Sequence, residues 1–515
     1  MKKILINDNP WQTRIAITRN DRLCNLYFAS HEKQPLERCF FKGTVIKVLP
    51  GIQTAFVDFG QEKAGFLHIS EIDRELAFDR MHGSSDDEDE QLDTLDGDNT
   101  EPVKKKRPGK PDNIAKILRE GEHILIQVSK EPVYQKGAKL TTCFTLPGRF
   151  FVLMPNISRI AISKKISDKE ERTRLKELVR QNLPEGMGAI IRTTCDSRPP
   201  HEILSDLAYL VNTWAEIQSK YESAEPLEKI YEDAPLASQV VRDHLDDDVE
   251  RVIADTKESQ DELYKFIREI APDQAHKVVL YNEPPMLFDG LKIDEQIQQA
   301  LEPKVHLDCG GSIIVETTEA MTVIDVNTGK FTGRARSSME ETIFKTNMEA
   351  ADEVVRQLGL RNIGGLIVID FIDMSTSTNK QKLIQHLEKT LREYDKFQSV
   401  VLKISEFGLV QMTRKRSGKT LQQQMAETCP CCSGLGVVSS VFTQSHSTLR
   451  ELKRLLLSNK ESDLVVLSVN QELFEYINTA LYNSILQLEK QLSCTITLQL
   501  EPKLTRMQHA IKQIK

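Results

Sequence analysis

The sequence predicts a multidomain α/β and β protein, and three observations carry that prediction. The chain has 515 residues, more than one hydrophobic core normally serves, which favours several domains. The stretch "GTVIKVLPGIQTAFVDFGQEKAGFLHISEI" gives short alternating strands broken by Gly and Pro, the pattern of a small β-barrel. From Lys304 onward apolar strands alternate with helical segments, the grammar of an α/β domain.

Taken in order, "MKKILINDN" and "QTRIAITRNDRLCNLYFAS" read as early strands. The barrel pattern resumes at "HILIQVSKEP" and "AKLTTCFTL", and "GRFFVLMPN" is a further strand. "SDKEERTRLKELVRQNL" is a helix with a Ser/Asp start, and "GAIIRTTC" returns to strand. A long helical region is expected from about Pro200 to Ile270. In the α/β part, the strand "MTVIDVN" leads to a helix near Met339 to Leu358. Ser338 and Glu341 fit a capping box for it and Gly359 its stop. "GGLIVIDFIDM" reads as a strand inside a covered sheet. A helix from about Asn379 to Tyr394 and the strand "SVVLKISEFG" follow, and residues 439–515 form a small mixed α/β tail.

Composition narrows the class. Hydrophobic content of 39% and charged content of 28% fit a soluble chain. Its apolar runs fall far short of a membrane span, so no integral membrane segment is expected. "MKKIL" mimics a signal-peptide start, but "INDNPWQTR" follows without an apolar core region, and a cytoplasmic protein is expected. The net charge of −8 weighs against nucleic acid, although the acidic run "SSDDEDEQLDTLDGD" biases it. "KKKRPGK" follows closely, and residues 81–112 read as a disordered charged insertion. Nine cysteines, mostly scattered, suit reduced thiols rather than a disulfide framework.

Four clusters carry chemistry. Asp325 and Asn327 are two apart on an apolar strand, so both point the same way. Asp370 and Asp373 lie at the end of a second strand, and ligands of open α/β sheets gather beyond strand ends. Carboxylates with few His or Cys make a hard oxygen site suited to Mg²⁺, which supports phosphodiester hydrolysis. The alternative is that these acids pair with Lys330, Arg334 or Arg336. Next, the barrel stretch resembles the S1 RNA-binding domain, an OB-fold. Phe66 and His68 share a strand face and Phe56 sits on the preceding strand, where aromatics can stack bases; packing in the barrel core is the alternative. Third, "TCPCCSGLG" gives Cys429 and Cys432 CxxC spacing, with Gly434 and Gly436 allowing a tight knuckle. Structural zinc wants four ligands and no second CxxC exists, so two copies of the chain would share one Zn²⁺. Cys431 could compete as a ligand, and a thioredoxin-like redox pair is the rival reading. Fourth, Arg414, Lys415, Arg416 and Lys419 suit backbone phosphates or form a solvated basic loop.

These pieces occur in one order: S1, "LPEGMGAIIRTT", "MTVIDVNTGKF", "GGLIVIDFIDM", "CPCCSG". In order and wording they resemble the bacterial ribonuclease E/G family over nearly the whole chain. Without a long scaffold tail, the chain is similar to a ribonuclease G-like member or a short ribonuclease E. The resemblance implies an Mg²⁺-dependent endoribonuclease acting on single-stranded RNA in mRNA decay and rRNA processing, with 5′-phosphate and 3′-hydroxyl products. It implies an RNase H-like domain (1–34 and 238–300) interrupted by an S1 domain (35–142) and a 5′-sensor region (143–237). A DNase I-like catalytic domain (301–425), a zinc link (426–438) and a small oligomerisation domain (439–515) would follow. The family's Mg²⁺-binding aspartates match Asp325 and Asp370, and its orienting Asn matches Asn327, with Asp373 in support. Its RNA-gripping residues match Phe56, Phe66 and Lys136. Its 5′-monophosphate sensor matches Arg192 and Thr193, with Gly148 and Val152 lining the pocket. A basic residue of that sensor falls on Gln398 here, a departure. Cys429 and Cys432 match the shared zinc link of a homodimer or homotetramer. A non-catalytic S1-type RNA-binding regulator is the alternative function.

Overall fold

The computed structural model describes every residue except 33–34, 73–113, 133–136, 164–165, 167, 330–335, 417, 459–463 and 515. The charged insertion at 81–112, Lys136, Lys330 and Arg334 therefore lie outside the described residues. The chain forms two compact units, Met1–Thr420 and Leu421–Lys515.

In the first unit the N-terminal strands Lys2–Asn9, Gln12–Arg19 and Arg22–Ser30 share a five-stranded sheet with the distant strands Val249–Ala254 and Val278–Leu280. Lys2–Asn9 pairs in parallel with Val249–Ala254, so the chain returns to its first strand after an excursion of more than two hundred residues. That excursion begins with a closed barrel. Strands Phe40–Leu49, Thr54–Asp58, Gly65–His68, Lys139–Thr141 and His123–Lys130 pair in that order, and Phe40–Leu49 closes the ring onto His123–Lys130. Alternation fills the barrel with Val45, Ala55, Val57, Phe59, Leu67, Ile126, Val128 and Leu140. A four-stranded sheet follows, ordered Ile160–Ile162, Gly188–Ile191, Phe151–Met154, Leu146–Pro147. Phe40, Phe144, Trp214 and Tyr231 pack their rings together in its core.

The region expected to be helical from Pro200 to Ile270 is broken. Helices Pro200–Ser223, Leu236–His244 and Lys257–Ile270 are separated by strands Lys229–Tyr231 and Val249–Ala254. Pro226 and Pro235 stop helix propagation, and the β-branched Val249, Val252 and Ile253 favour strand.

The α/β part is a six-stranded mixed sheet, ordered Lys304–His306, Ser312–Thr317, Met321–Asn327, Gly365–Asp370, Leu409–Arg414, Ser399–Val401. Helices Arg336–Leu360 and Ser377–Tyr394 cover one face, burying Ile313, Ile324, Ile367, Ile369 and Val410 against Ala350, Val354, Leu383 and Leu387. "GGLIVIDFIDM" was expected inside a sheet covered on both sides, but Leu366 on the other face is 41% exposed. Its apolar run is continuous, so the sequence alone gives no sign that one side is open. The first of those helices also outruns its expected ends. It passes through Ser338, which is therefore not its cap, and through Gly359. It ends at Leu360, and the left-handed turn comes two residues on at Asn362, whose φ is 50°. Gly359 instead lies beside the N-terminal sheet, where an added Cβ would be 3.5 Å from the Cys24 carbonyl oxygen.

The second unit has a three-stranded sheet with Leu464–Val469 at its centre, parallel to Thr495–Leu500 and antiparallel to His509–Ile514. Helices Val441–Ser458, Gln471–Ala480 and Tyr482–Leu492 pack on it through Leu452, Leu456, Leu473, Ile477 and Ile485. Among the described residues no helix is long and apolar enough to cross a membrane.

Candidate active site

The acids of the α/β sheet converge because of strand register. Thr322, Ile324 and Val326 turn into the helix-covered core, so Asp325 and Asn327 stand on the uncovered face. Met321–Asn327 and Gly365–Asp370 run parallel, and Asp325 pairs directly with Asp370. Asn327 donates from Nδ2 to Asp325 Oδ2 at 2.7 Å. The Asp370 carboxyl is raised above its usual range by partial desolvation, then by the neighbouring charges of Asp325 and Asp373. None of these three acids is ion-paired to a described residue. The alternative pairings to Lys330 and Arg334 fall outside the described residues, as does the Arg336 side chain.

The loop after Asp370 is fixed by side chains that the motif reading missed. Asn347 is fully buried on the helix Arg336–Leu360. Its Nδ2 donates to the Ile372 carbonyl at 2.8 Å and its Oδ1 accepts from the Ile372 amide at 3.1 Å. Two turns earlier, Glu340 accepts from the amides of Ser375 and Thr376 at 3.2 Å each. One helix thus holds both ends of the segment carrying Asp373. Gly408, at φ 82°, closes the same corner; an added Cβ would be 3.0 Å from Asp373 Oδ1. The signal for Asn347 was in the sequence: it occupies the helical stripe shared with Ala350, Ala351 and Val354, where a polar residue needs a reason.

Mg²⁺ fits this donor set. It prefers oxygen ligands, keeps several waters, and commonly takes only one or two carboxylates alongside substrate phosphates. Among the described residues no group of three or more His, Cys, Asp or Glu side chains is arranged to enclose a metal. An ion held by Asp325 and Asp370 would take its remaining oxygens from water and substrate.

On the barrel, Phe56 and Phe66 are direct cross-strand partners. Phe56 is 36% exposed and Phe66 is half-buried, so neither belongs to the barrel core. His68 shares the Phe66 face, and its Nδ1 lies 2.7 Å from the Ser70 hydroxyl.

Of the residues expected to form a 5′ sensor, Arg192 and Gly148 are in contact beside the four-stranded sheet. Arg192 Nη1 donates to the Gly148 carbonyl and to Asp243 Oδ1, both at 2.7 Å. Thr193 is exposed and starts the turn Thr193–Cys195, while Val152 pairs with Ile190 and Pro147. Buried Asp206 accepts from the amides of Arg149 and Phe150 and shapes the bend at Gly148. A Cβ at Gly148 would be 2.7 Å from Asp206 Oδ2, which explains a glycine there. Gln398 is exposed, and its carbonyl accepts from the Lys415 amide. Lys396, two residues earlier, brings its ammonium to the Asp243 carbonyl.

The basic cluster divides. Arg414 was grouped with phosphate-binding residues, yet it is 3% exposed and forms a two-pronged ion pair with buried Asp395. It sits on an inward position of its strand, between the buried Val410 and Met412 and the sheet edge. Lys415, Arg416 and Lys419 remain exposed.

In the second unit, the Cys429 carbonyl accepts from the Ser433 amide at 2.8 Å and the Cys432 carbonyl from Leu435 at 2.9 Å. Gly434 and Gly436 both have positive φ. Hydrogen bonds from the Cys432 and Cys431 amides lower the Cys429 thiol below its usual value, favouring the thiolate. No strand leads into this turn; the short helix Leu421–Met425 precedes it.

Residues 145–417 match the Ribonuclease E/G family, which is more than half of the chain. The chain belongs to the ribonuclease E/G family. Residues 428–514 also match the RNase E/G thioredoxin-like domain, which spans the cysteine turn and the second unit. Ribonuclease G of Haemophilus influenzae is 37% identical over 453 residues, covering 88% of this chain and 87% of its own. Ribonuclease G of Escherichia coli is 33% identical over 500 residues, covering 97% of each chain. Ribonuclease E of Escherichia coli is 34% identical over 468 residues, which are 90% of this chain but 41% of that one. The Asp325 and Asp370 strands, the Arg192 turn and the barrel-distal sheet all lie inside the ribonuclease E/G match, and the barrel precedes it.

Proposed function

We propose that this member of the ribonuclease E/G family is an Mg²⁺-dependent endoribonuclease. It would cut single-stranded RNA to 5′-phosphate and 3′-hydroxyl ends in RNA decay and ribosomal RNA maturation. The observation that carries this reading is the direct pairing of Asp325 with Asp370 on parallel strands, with Asn327 hydrogen-bonded to Asp325. Asp325 and Asp370 would hold the ion. Asn327 would fix the Asp325 carboxylate so that its other oxygen faces the metal. Mg²⁺, when bound, would supply positive charge to the phosphodiester and acidify the attacking water. Phe56 and Phe66, with Lys136, would grip the RNA by stacking and charge, and Arg192 and Thr193 would take a 5′-monophosphate at Gly148 and Val152. We read the six-stranded unit as DNase I-like, the barrel as an S1 OB-fold and the split N-terminal sheet as RNase H-like, in a cytoplasmic enzyme.

The test is a gel of 5′-labelled single-stranded RNA with Mg²⁺ and with EDTA. Discrete products that vanish with EDTA are expected. A non-catalytic S1-type regulator, which the exposed Phe56 and Phe66 also suit, predicts equal RNA binding in both lanes and no products; that result would replace the enzymatic reading.

Cys429 and Cys432 supply two thiols of a four-ligand zinc site, and we read them as one half of a Zn²⁺ link between two copies of the chain. Cys429→Ser with Cys432→Ser should lower the mass seen by light scattering and remove zinc measured by atomic absorption. An unchanged mass would count against the link.

A further inference from the structure

We propose that Asp243 is the positioning residue that presents Arg192 to a terminal phosphate; this rests on reading Arg192 and Thr193 as a 5′-end site. Arg192 has five N–H donors in a fixed planar fork. Its Nη1 is used twice, at 2.7 Å to the Gly148 carbonyl and at 2.7 Å to Asp243 Oδ1. Nε and Nη2 have no partner among the described residues. That leaves one complete edge of the guanidinium, the edge that takes two oxygens of a phosphate side by side. Without Asp243, a single carbonyl would hold a long side chain that samples many rotamers, and the free edge would lose its direction.

Asp243 is itself held rigidly. It lies in the last turn of the helix Leu236–His244, whose Val240 and Val241 are core residues. The neighbouring Arg242 is 6% exposed; its Nη1 lies 3.2 Å from buried Asp233 Oδ1 and its Nε 3.7 Å from Asp243 Oδ1. Lys396 reaches the Asp243 carbonyl from a separate element of the chain. Burial alone would raise the Asp243 carboxyl, but Arg192, Arg242 and Lys396 outweigh it and hold it below its usual range. Arg242 is already paired with Asp233, and Asp243 takes only Nη1 of Arg192, so Asp243 orients the guanidinium while its Nε–Nη2 edge stays open to an anionic ligand. The ligand is the 5′-monophosphate of an RNA end, and an uncharged 5′-hydroxyl gains nothing from the arrangement.

The test compares KM and kcat on a short single-stranded RNA carrying either a 5′-monophosphate or a 5′-hydroxyl. Wild type should show a lower KM for the monophosphate. Asp243→Ala should lose most of that preference, a change of up to about tenfold in the ratio of the KM values of the two RNAs measured on the same variant. Asp243→Asn keeps an oxygen that accepts from Nη1 and removes a negative charge, so its preference should equal or exceed wild type. A general structural defect would not separate these two variants. Wild-type preference in Asp243→Ala, or loss of preference in Asp243→Asn, overturns the proposal. If Asp243→Ala melts below the assay temperature, Asp243→Ser, whose shorter side chain does not reach Nη1, takes its place with the same two outcomes. No preference in wild type overturns the 5′-end reading itself, and the role of Asp243 with it.

Discussion

Asp370→Asn and Asp325→Asn are each expected to abolish RNA cleavage while RNA still binds. Each replacement removes one of two paired carboxylates, and a catalytic metal is worth several kcal/mol of transition-state stabilisation. The expected loss is about a thousandfold or more, because each 1.36 kcal/mol is a factor of ten in rate. Single-turnover cleavage of labelled RNA measures the rate, and fluorescence anisotropy in EDTA measures binding. Full cleavage by both variants would sink the assignment of the site. Thermal melts provide a second readout. Asp370 is raised by desolvation and by the charges of Asp325 and Asp373, so its ionised form is disfavoured in the metal-free fold. The penalty holds above the folded pKa and is relieved as pH falls through it. Asp370→Asn removes the charge at all pH values. The metal-free variant should melt at or above wild type, with a smaller rise on adding Mg²⁺.

Arg414→Ala should be among the most destabilising single changes in the α/β unit. Arg414 Nε and Nη2 donate to the two oxygens of Asp395 at 2.7 and 2.9 Å, and Nη1 donates to the Ile363 carbonyl. Its guanidinium also lies over the Phe397 ring at 4.7 Å. Both partners are nearly inaccessible, at 3% for Arg414 and 7% for Asp395. Removing one member of such a pair leaves an uncompensated buried charge, at a cost of about 3–5 kcal/mol. The cost comes chiefly from the orphaned carboxylate. Arg414→Met combined with Asp395→Leu should therefore recover much of it, as a double-variant cycle of melting temperatures would measure. A wild-type melt for Arg414→Ala would overturn this account.

Arg414 also shows where sequence reasoning stops. In "MTRKRSGKT" it is one of several cations, and composition assigns all of them alike to solvent or phosphate. Burial distinguishes it, and burial depends on where Asp395 lands. Gly359 is similar: as a helix stop it is reasonable locally, but the helix runs through it to Leu360 and the left-handed residue is Asn362. The split of the N-terminal sheet was legible only through the family resemblance, since no local signal connects Lys2–Asn9 to Val249–Ala254. The barrel was legible directly, because turn residues and alternation are short-range.

By itself the sequence determined that Asp325 and Asn327 share a face, because side chains alternate with a period of two along any strand. It determined equally that Phe56 and Phe66 lie on successive barrel strands, and that Cys429 and Cys432 can approach one centre. Tertiary structure alone decided that Asp370 stands directly beside Asp325, that Asn347 grips the loop between Asp370 and Asp373, and that Asp243 meets Arg192. Each of those contacts joins residues 25 or more apart in the chain, and their register is set by core packing that no local pattern encodes.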